Sequence, residues 1–368
     1  MPEKKEQIID PWGAADLDAY SDAFKKFGLH EFPQESNKNL NHYLFERKIV
    51  IAHRDFGKIM KKIEEKKPFI NMTGIASSGR IHLGHKVDVE MFKFFKEKGA
   101  KNYFAICDID AYVSRPDNKV GSMKEAKEFA VDNLSHVLAL GLDENDVYIQ
   151  SQMDSRYYEF TFEISKKITE NMFQAIYGHL DLGKASAVLL QIADILHGQL
   201  EEYGAPMPSI TGIGLEQDPH ARLTRDVAKR LPYKMEPPSF IYFKHQGGLQ
   251  PGEKMSSSKP ETAIFLDDSA TEIKKKINSA FTGGQPTAEE HRKKGGNLKV
   301  DKVYEMLLFH YPDTKKLEKI AEEFSSGKML SGELKQFAIE FFTKELAKHQ
   351  EKAEKNKELA KQIVYGKK

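Results

Sequence analysis

The sequence has little cysteine, almost no net charge and no long uninterrupted apolar run. The single cysteine, Cys107, excludes an intrachain disulfide and a cysteine-rich metal or iron-sulfur site. With 56 basic and 55 acidic residues the net charge is +1, so nucleic acid could bind only through a local basic patch. The longest apolar stretch, Ala187 to Leu196, is broken by Gln191 and Asp194, and the N-terminus lacks the apolar run of a signal peptide. These absences predict a soluble, cytoplasmic protein.

Strand-like and helical patterns alternate from Pro68 onward, as in a parallel sheet covered by helices. The capping boxes Ser122 to Glu125 and Ser269 to Glu272 begin amphipathic helices, and after the second one strands nearly vanish. We therefore predict an α/β protein with an N-terminal extension (1–67), a Rossmann-like parallel-sheet domain with a helical insertion (68–262) and an all-helical domain (263–368). The predicted strands are Lys48 to Ala52, Pro68 to Met72, Tyr103 to Cys107, Val147 to Gln150, Ser209 to Ile213 and Phe240 to Phe243.

A histidine-containing tetrad, His82-Leu83-Gly84-His85, lies at a predicted strand-to-helix junction. It follows a Gly/Ser-rich turn, Thr73 to Gly79, and precedes the amphipathic run Lys86 to Lys98. Glycines at such a junction let the backbone approach a phosphate, and the free N–H groups of the helix face the anion. Both imidazoles can donate to phosphate oxygens as negative charge develops. The spacing fits neither a Walker loop nor G-x-G-x-x-G, which disfavours ordinary kinases and dinucleotide-binding proteins and favours another kind of nucleoside triphosphate site.

A second motif, Lys254-Met255-Ser256-Ser257 followed by Ser258, lies in the Gly/Pro-bounded segment Gln250 to Pro260. The segment lacks apolar periodicity, which indicates a mobile surface loop. Such a loop can close over a polyphosphate, with the lysine on the leaving pyrophosphate and hydroxyl donors around it. Alone, such a loop is better explained as a solvated polar linker. Its occurrence together with the histidine tetrad favours two halves of one ATP site.

These two motifs resemble the HIGH and KMSKS motifs of the class I aminoacyl-tRNA synthetases. The stretch Gln217 to Asp226 is similar to one in tryptophanyl-tRNA synthetases of the archaeal and eukaryotic kind. Ser257 stands at the place of the second lysine of KMSKS, which related tryptophanyl enzymes also lack. The resemblance runs from about Asp10 to at least Asn297. Its other matching stretches are Asp10-Pro11-Trp12, Ile51 to Asp55, Phe281 to Gly284, Glu290-His291-Arg292 and Gly295-Gly296-Asn297.

The resemblance implies a tryptophan-tRNA ligase that forms tryptophanyl-adenylate from tryptophan and ATP with magnesium, then esterifies the 3′ end of tRNA(Trp). Adenylation depends on positioning and charge stabilisation more than on a strong base. His82 and His85 would face the phosphates, Gly84 would clear room for the nucleotide, and Lys254 would follow the departing pyrophosphate. The family also implies a homodimer. The alternatives are a tyrosine-tRNA ligase and a non-catalytic paralogue that binds tRNA or a small ligand.

The predicted ATP site also includes the segment Gly214-Leu215-Glu216-Gln217, which resembles the family's Gly-x-Asp-Gln motif. The acidic residue of that motif holds the ATP ribose, and its glutamine lines the amino-acid pocket. Here Glu216 replaces the aspartate and can still accept from ribose hydroxyls, although it could instead complement a helix dipole. The full set predicted to bind ATP is Gly74, Gly84, Gly214, Glu216, Ser256, Ser257 and Ser258.

The residues predicted to bind the amino acid are Met72, Asp108, Asp110, Gln191 and Gln217. Gln191 matches a pocket glutamine by resemblance but could equally be a satisfied core amide. Asp108 or Asp110 could contact the substrate ammonium or simply form a turn. Met72 and Ala105 stand where eukaryotic enzymes carry polar residues toward the indole. No metal ligand is predicted. The helical domain would bind the tRNA anticodon by resemblance, and its basic residues include Arg292, Lys293, Lys294 and Lys299.

Overall fold

The computed structural model describes residue 24 and residues 28–32, 40–257 and 259–366. Ser258 and the Asp10-Pro11-Trp12 stretch lie outside these residues. Within the described part of the chain, no helix combines the length and apolarity that a membrane span requires.

Seven strands form one mixed sheet in the order β1-β2-β7-β6-β3-β4-β5. Strands β7, β6, β3, β4 and β5 run parallel, whereas β2 pairs antiparallel with β7 and β1 with β2. Each predicted strand is present with shifted ends, so the predicted parallel core is confirmed. The strands are β1 (His30–Glu31), β2 (Val50–Arg54), β3 (Ile70–Ala76), β4 (Lys101–Cys107), β5 (Val147–Ile149), β6 (Ser209–Gly214) and β7 (Ser239–Phe243).

The central strands are apolar because helices cover both faces of the sheet. All five residues of β7 are buried. At the β3–β4 pair, a Cβ atom on Gly74 would lie 2.7 Å from both the Cβ and the carbonyl oxygen of Ala105. Only glycine fits at that point of close strand approach.

Fourteen helices surround the sheet or follow it in the described residues. After β7 the described chain contains no further strand, as predicted. The helices are α1 (Tyr43–Glu46), α2 (Phe56–Glu64), α3 (Leu83–Glu97), α4 (Asp108–Ser114), α5 (Met123–Ala139), α6 (Ser155–Ser165), α7 (Glu170–Tyr177), α8 (Leu182–His197), α9 (Asp218–Arg230), α10 (Ala270–Ser279), α11 (Ala288–Lys294), α12 (Lys302–His310), α13 (Thr314–Ser325) and α14 (Ser331–Tyr365).

One of the two predicted capping boxes is complete. At α10 the Ser269 hydroxyl accepts from the Glu272 N–H, and the Glu272 carboxylate accepts from the Ser269 N–H at 2.8 Å. At α5, Ser122 accepts from the Glu125 N–H at 3.2 Å, but the Glu125 carboxylate accepts from the N–H of Gly121. The reciprocal half is therefore displaced by one residue.

The segment predicted as an appended extension contributes a strand to the main sheet. Strand β2 pairs with β7, with Ala52 opposite Tyr242 and Arg54 opposite Phe240. Just before β2, the Arg47 guanidinium donates to the carbonyl oxygens of Leu308 at 2.9 Å and Tyr311 at 2.7 Å. Arg47 thus satisfies the C-terminal carbonyls of α12 and ties the sheet to the C-terminal helices.

We expect Arg47→Ala to lower the free energy of unfolding by about 2 kcal/mol, because charged hydrogen bonds to partly buried carbonyls and a favourable helix-dipole contact are lost together. Urea unfolding measures the change. Arg47→Lys should fall between wild type and Arg47→Ala, since an ammonium keeps the charge without the guanidinium geometry. Equal stability of all three proteins would contradict this role for Arg47.

A buried histidine pair joins α5 to α14. The Nδ1 atom of His136 lies 2.8 Å from the Nε2 atom of His349, and the two rings are stacked with centroids 5.0 Å apart. Burial and the neighbouring His136 lower the pKa of His349 to about 4. The folded state therefore disfavours the protonated form of this ring.

This pair predicts a loss of stability in mild acid. Because the pKa of His349 is about 4 when folded and about 6.5 when unfolded, its contribution is complete above pH 6.5 and is lost as the pH falls toward 4. We expect His349→Gln to reduce the stability lost between pH 7.5 and 5 by about 2 kcal/mol, measured by urea unfolding at both values. An unchanged difference between the two pH values would contradict the assignment.

The C-terminal stretches in the family resemblance pack against one another. The Asn297 N–H donates to the Gly283 carbonyl at 2.8 Å, and a Cβ atom on Gly295, whose φ is +71°, would lie 1.7 Å from the Ser325 carbonyl oxygen. Arg292 donates to the Gly327 carbonyl at 3.1 Å. Arg292, which was grouped with basic residues suited to tRNA, therefore has an internal structural partner.

Candidate active site

The histidine tetrad forms the N-terminus of α3 at the carboxyl end of β3. His82 is the N-cap, and its Nδ1 atom accepts from the Gly84 N–H at 3.1 Å. In return, the Nδ1 atom of His85 accepts from the His82 N–H at 3.3 Å. The two rings are stacked, with centroids 3.9 Å apart. The histidines thus perform the reciprocal capping usually made by Ser/Thr and Glu/Gln.

This arrangement fixes the protonation of both rings. Burial lowers the pKa of His85 to about 4 and holds that of His82 well below its ordinary value, so both are neutral at pH 7. Because each Nδ1 atom accepts a backbone hydrogen bond, the proton of each ring is on Nε2. Neither Nε2 atom has a partner among the described residues. Two neutral N–H donors are therefore available side by side for an anion.

Gly84 makes room for a histidine ring. A Cβ atom there would lie 2.9 Å from Cε1 and 3.0 Å from Nδ1 of His82. The space that the absent side chain leaves is therefore occupied by the His82 ring, whereas the sequence predicts that Gly84 makes room for the nucleotide. Any larger side chain would disturb the capping arrangement.

The structure places the loop that contains Lys254, Ser256 and Ser257 beside the tetrad. The Ser257 hydroxyl donates to the Arg80 carbonyl at 3.0 Å, and Met255 is buried beside Gly84. The Ser256 N–H donates to the Thr262 hydroxyl at 3.2 Å. After the loop, the Leu83 N–H donates to the Ile264 carbonyl at 3.0 Å, which joins the chain beyond the loop to the start of α3. The two sequence motifs are therefore neighbours in space.

Sequence reasoning missed His245, which lies between the two motifs. Burial lowers the pKa of His245, the negative charge of Glu216 raises it, and the positive charge of Lys254 lowers it further. His245 also lowers the pKa of His82. These electrostatic contacts gather His82, Glu216, His245 and Lys254 at one edge of the sheet. The available signal was its position two residues after β7, at the carboxyl end of a parallel strand.

Glu216 follows β6 and folds back over the end of that strand. A Cβ atom on Gly214 would lie 2.3 Å from Oε1 of Glu216, so any larger residue at 214 would displace the carboxylate from this position. Burial and the charge of Glu216 together raise the pKa of Asp88, on the second turn of α3, to about 8. Asp88 had no sequence motif to identify it. Gln217 is the N-cap of α9 and begins the segment that resembles tryptophanyl enzymes.

Buried charges hold the start of α9 against β2. The Asp218 carboxylate, whose side chain is fully buried, forms ion pairs with Arg54 at 2.8 Å and with Arg222 at 3.0 Å. The Tyr242 hydroxyl donates to the same carboxylate at 2.7 Å. A second, more exposed pair joins Arg225 to Asp55. Two sequence stretches in the family resemblance are therefore bound to each other by charge.

Met72, Ala105 and Gln191, three of the residues considered for the amino-acid pocket, lie on or against helix α8. Met72 and Ala105 are buried in the apolar cluster that includes Val188 of α8, and the half-exposed Gln191 lies one turn further along that helix. Gln191 has no hydrogen-bond partner among the described residues.

Asp108 and Asp110 begin α4 directly after β4. The Oδ1 atom of the buried Asp108 accepts from the N–H groups of Ile109 at 3.0 Å and Ser151 at 2.9 Å, while its Oδ2 atom is buried without a described partner. The half-buried Asp110 accepts from the Ser114 hydroxyl at 3.1 Å, and burial raises its pKa. An unpaired carboxylate oxygen at this edge suits a cationic ligand.

The described residues contain no cluster of three or more His, Cys, Asp or Glu side chains arranged to hold a metal ion. A magnesium ion bound through ATP would need no such cluster, since Mg²⁺ commonly keeps several waters and binds through substrate phosphates.

Comparison with known proteins identifies the family. Residues 64–347 match the sequence profile of the class I tRNA synthetases (W and Y). The tryptophan-tRNA ligases of Aeropyrum pernix and Methanocaldococcus jannaschii are each 38% identical, over 97% and 98% of both chains respectively. The crystal structure of tryptophanyl-tRNA synthetase from Aeropyrum pernix K1 superposes with a TM-score of 0.86 over 97% of this chain and 98% of that one. The chain therefore belongs to the class I tRNA synthetases, in the family of tryptophanyl and tyrosyl enzymes.

Proposed function

We propose that this protein is a tryptophan-tRNA ligase that activates L-tryptophan with ATP and transfers it to tRNA(Trp). The observation that carries the proposal is the pair of stacked neutral histidines at the start of α3, which adjoin the segment Met255 to Ser257 that follows Lys254. The curated relatives named above support tryptophan as the amino acid.

Each part of the site has a role in adenylation. Neutral donors that are already oriented stabilise charge developing on the phosphates without reorganising during the reaction. His82 and His85 supply such donors, and Lys254 would neutralise the leaving pyrophosphate. Glu216 would accept from the ribose hydroxyls. Asp108 or Asp110 would hold the substrate ammonium, which leaves the carboxylate of the amino acid free to attack the α-phosphate.

Magnesium would enter with ATP and neutralise part of the triphosphate charge. In this proposal the protein does not enclose the ion but supplies donors around the phosphates. The ligase would work in the cytoplasm. Its C-terminal helices would bind the anticodon arm, where the exposed Lys299 is one available cation.

The homodimer implied by the resemblance is part of this proposal. Exposed apolar side chains on and beside three neighbouring helices suit such an interface, since α8 packs against both α4 and α6. Phe162 on α6 is 75% exposed and Leu182 on α8 is 79% exposed. Tyr112 on α4 is 39% exposed, and Leu180, two residues before Leu182, is 44% exposed. Light scattering should show a dimer that Phe162→Glu with Leu182→Glu converts to a monomer. Phe281→Glu, at an exposed site in the C-terminal region, is the matched control.

The function is tested by exchange of pyrophosphate into ATP in the presence of magnesium, with tryptophan and tyrosine assayed side by side. Exchange with tryptophan alone is expected. Exchange with tyrosine alone would assign the other member of the family. No exchange with either, even with tRNA added, would replace the ligase with a non-catalytic binding protein.

A further inference from the structure

A buried carboxylate lies behind the pocket aspartates. Asp194 on α8 is 3% exposed, and its Oδ1 atom accepts from the hydroxyls of Tyr148 at 2.7 Å and Tyr157 at 2.6 Å. Its Oδ2 atom accepts from Nε2 of Gln150 at 2.9 Å, with the Cys107 thiol at 3.8 Å. Burial raises the pKa of Asp194 to about 7, and the surrounding donors favour its ionised form. At pH values well above 7 the ionised form, which only accepts hydrogen bonds, therefore predominates.

The Gln150 side chain connects Asp194 to the turn that carries Asp108 and Asp110. Gln150 is fully buried, and its Oε1 atom accepts from the backbone N–H of Asp110 at 2.8 Å. An amide has a donor end and an acceptor end, whereas an ionised carboxylate only accepts. Asp194 therefore sets the orientation of the Gln150 amide, with its carbonyl toward Asp110.

The next residue of the same segment fixes the other pocket aspartate. The Ser151 N–H donates to Oδ1 of Asp108, which leaves the buried Oδ2 atom of Asp108 without a described partner. The hydroxyl of Tyr158 donates to the Gln150 carbonyl at 2.8 Å and holds this segment in place. The 3₁₀ turn Gln150–Gln152 therefore supports both Asp108 and Asp110.

We infer that Gln150 and Asp194 are positioning residues of the amino-acid pocket, which hold the Asp108–Asp110 turn in the conformation that receives the substrate ammonium. This inference rests on the proposed function and adds to it two residues that do not contact substrate. It also explains why a carboxylate interrupts an apolar helix at position 194, since its charge orients the Gln150 amide.

Single substitutions test the direction of the hydrogen bonds that run from Asp194 through Gln150 to the Asp110 N–H. In Asp194→Asn the asparagine carbonyl keeps the two tyrosine donors, so its N–H groups face the Gln150 amide and turn the Gln150 N–H groups toward the Asp110 N–H. In Gln150→Glu two carboxylates face each other. At pH 8 we expect each variant to raise the KM for tryptophan roughly tenfold or more, because a charged buried hydrogen bond is lost. The KM for ATP should stay within about twofold, since the ATP side is untouched.

The double variant Asp194→Asn with Gln150→Glu is the decisive protein. The introduced glutamate can accept from both the Asp110 N–H and the new asparagine amide, while the asparagine carbonyl still accepts from the two tyrosines. Residue 150 still accepts from the Asp110 N–H, although the negative charge has moved from position 194 to position 150. We expect the KM for tryptophan to return to within about threefold of wild type, which a packing role for these side chains would not predict.

The outcomes separate this inference from the proposed function. If the wild-type protein shows no tryptophan-dependent exchange, the function itself fails. If wild type is active but the single variants keep a normal KM for tryptophan, or the double variant does not recover, the inference alone is overturned. Should a single variant fail to fold, as judged by circular dichroism, recovery or loss in the double variant still decides the question.

Discussion

His82→Asn is expected to slow tryptophan-dependent pyrophosphate exchange by about 10²- to 10³-fold, the effect typical of removing one oriented donor from a charge-stabilising site. Asparagine is among the best N-cap residues, so its side-chain oxygen can replace Nδ1 in accepting from the Gly84 N–H. It cannot reach the position of Nε2. The melting temperature should therefore remain close to wild type while kcat falls.

His82→Gln is the matched control for this experiment. Its longer side chain can place an amide N–H near the position of Nε2 but caps the helix poorly, so activity should be less affected and stability more affected. We expect it to lose about 1 kcal/mol of stability through the cap. A wild-type rate for His82→Asn would remove His82 from catalysis and leave it the capping role alone.

Asp218→Asn is expected to lower the free energy of unfolding by about 3 to 5 kcal/mol, because it leaves the charge of Arg54 without its buried counter-ion. The Asp218 side chain is fully buried; it accepts hydrogen bonds from Arg54 and Tyr242 and lies 3.0 Å from the Arg222 guanidinium. The change removes charge but little volume. Urea unfolding of the purified protein measures the effect.

Asp55→Asn provides the comparison at the same interface between β2 and α9. The side chain of Asp55 is 42% exposed in its pair with Arg225, so the variant should cost less than about 1 kcal/mol. Asparagine also tolerates the left-handed backbone at this position, where φ is 53°. Similar losses in the two variants would show that burial does not set the strength of these pairs.

The sequence predicted features that depend on local pattern. Strand alternation, the capping box at Ser269 and the junction around His82 are each determined within a few residues, and the structure contains all three. The pairing of the two motifs was predicted because ATP needs groups from both.

Features that depend on distant partners could not be predicted in this way. The segment that contains β2 was predicted to be part of an extension because no pattern in its residues indicates that it pairs with β7. Arg54 and Asp218 lie 164 residues apart, so no local pattern indicates that they form a pair. His245 and Asp88 belong to no motif, and only the folded chain places them beside Glu216.

The antiparallel strand β2 has a consequence for the order in which the protein assembles during synthesis. Residues 40–64 leave the ribosome early, yet β2 needs β7, which ends at Phe243, and Arg47 needs the end of α12. Until β7 is made, apolar side chains of β2 such as Val50, which is 2% exposed in the finished protein and pairs with Phe243, lack their partner strand. Strand β2 is thus made well before the strand with which it pairs, and a nascent chain that ends before Phe243 leaves its apolar side chains exposed to chaperones and to other nascent chains.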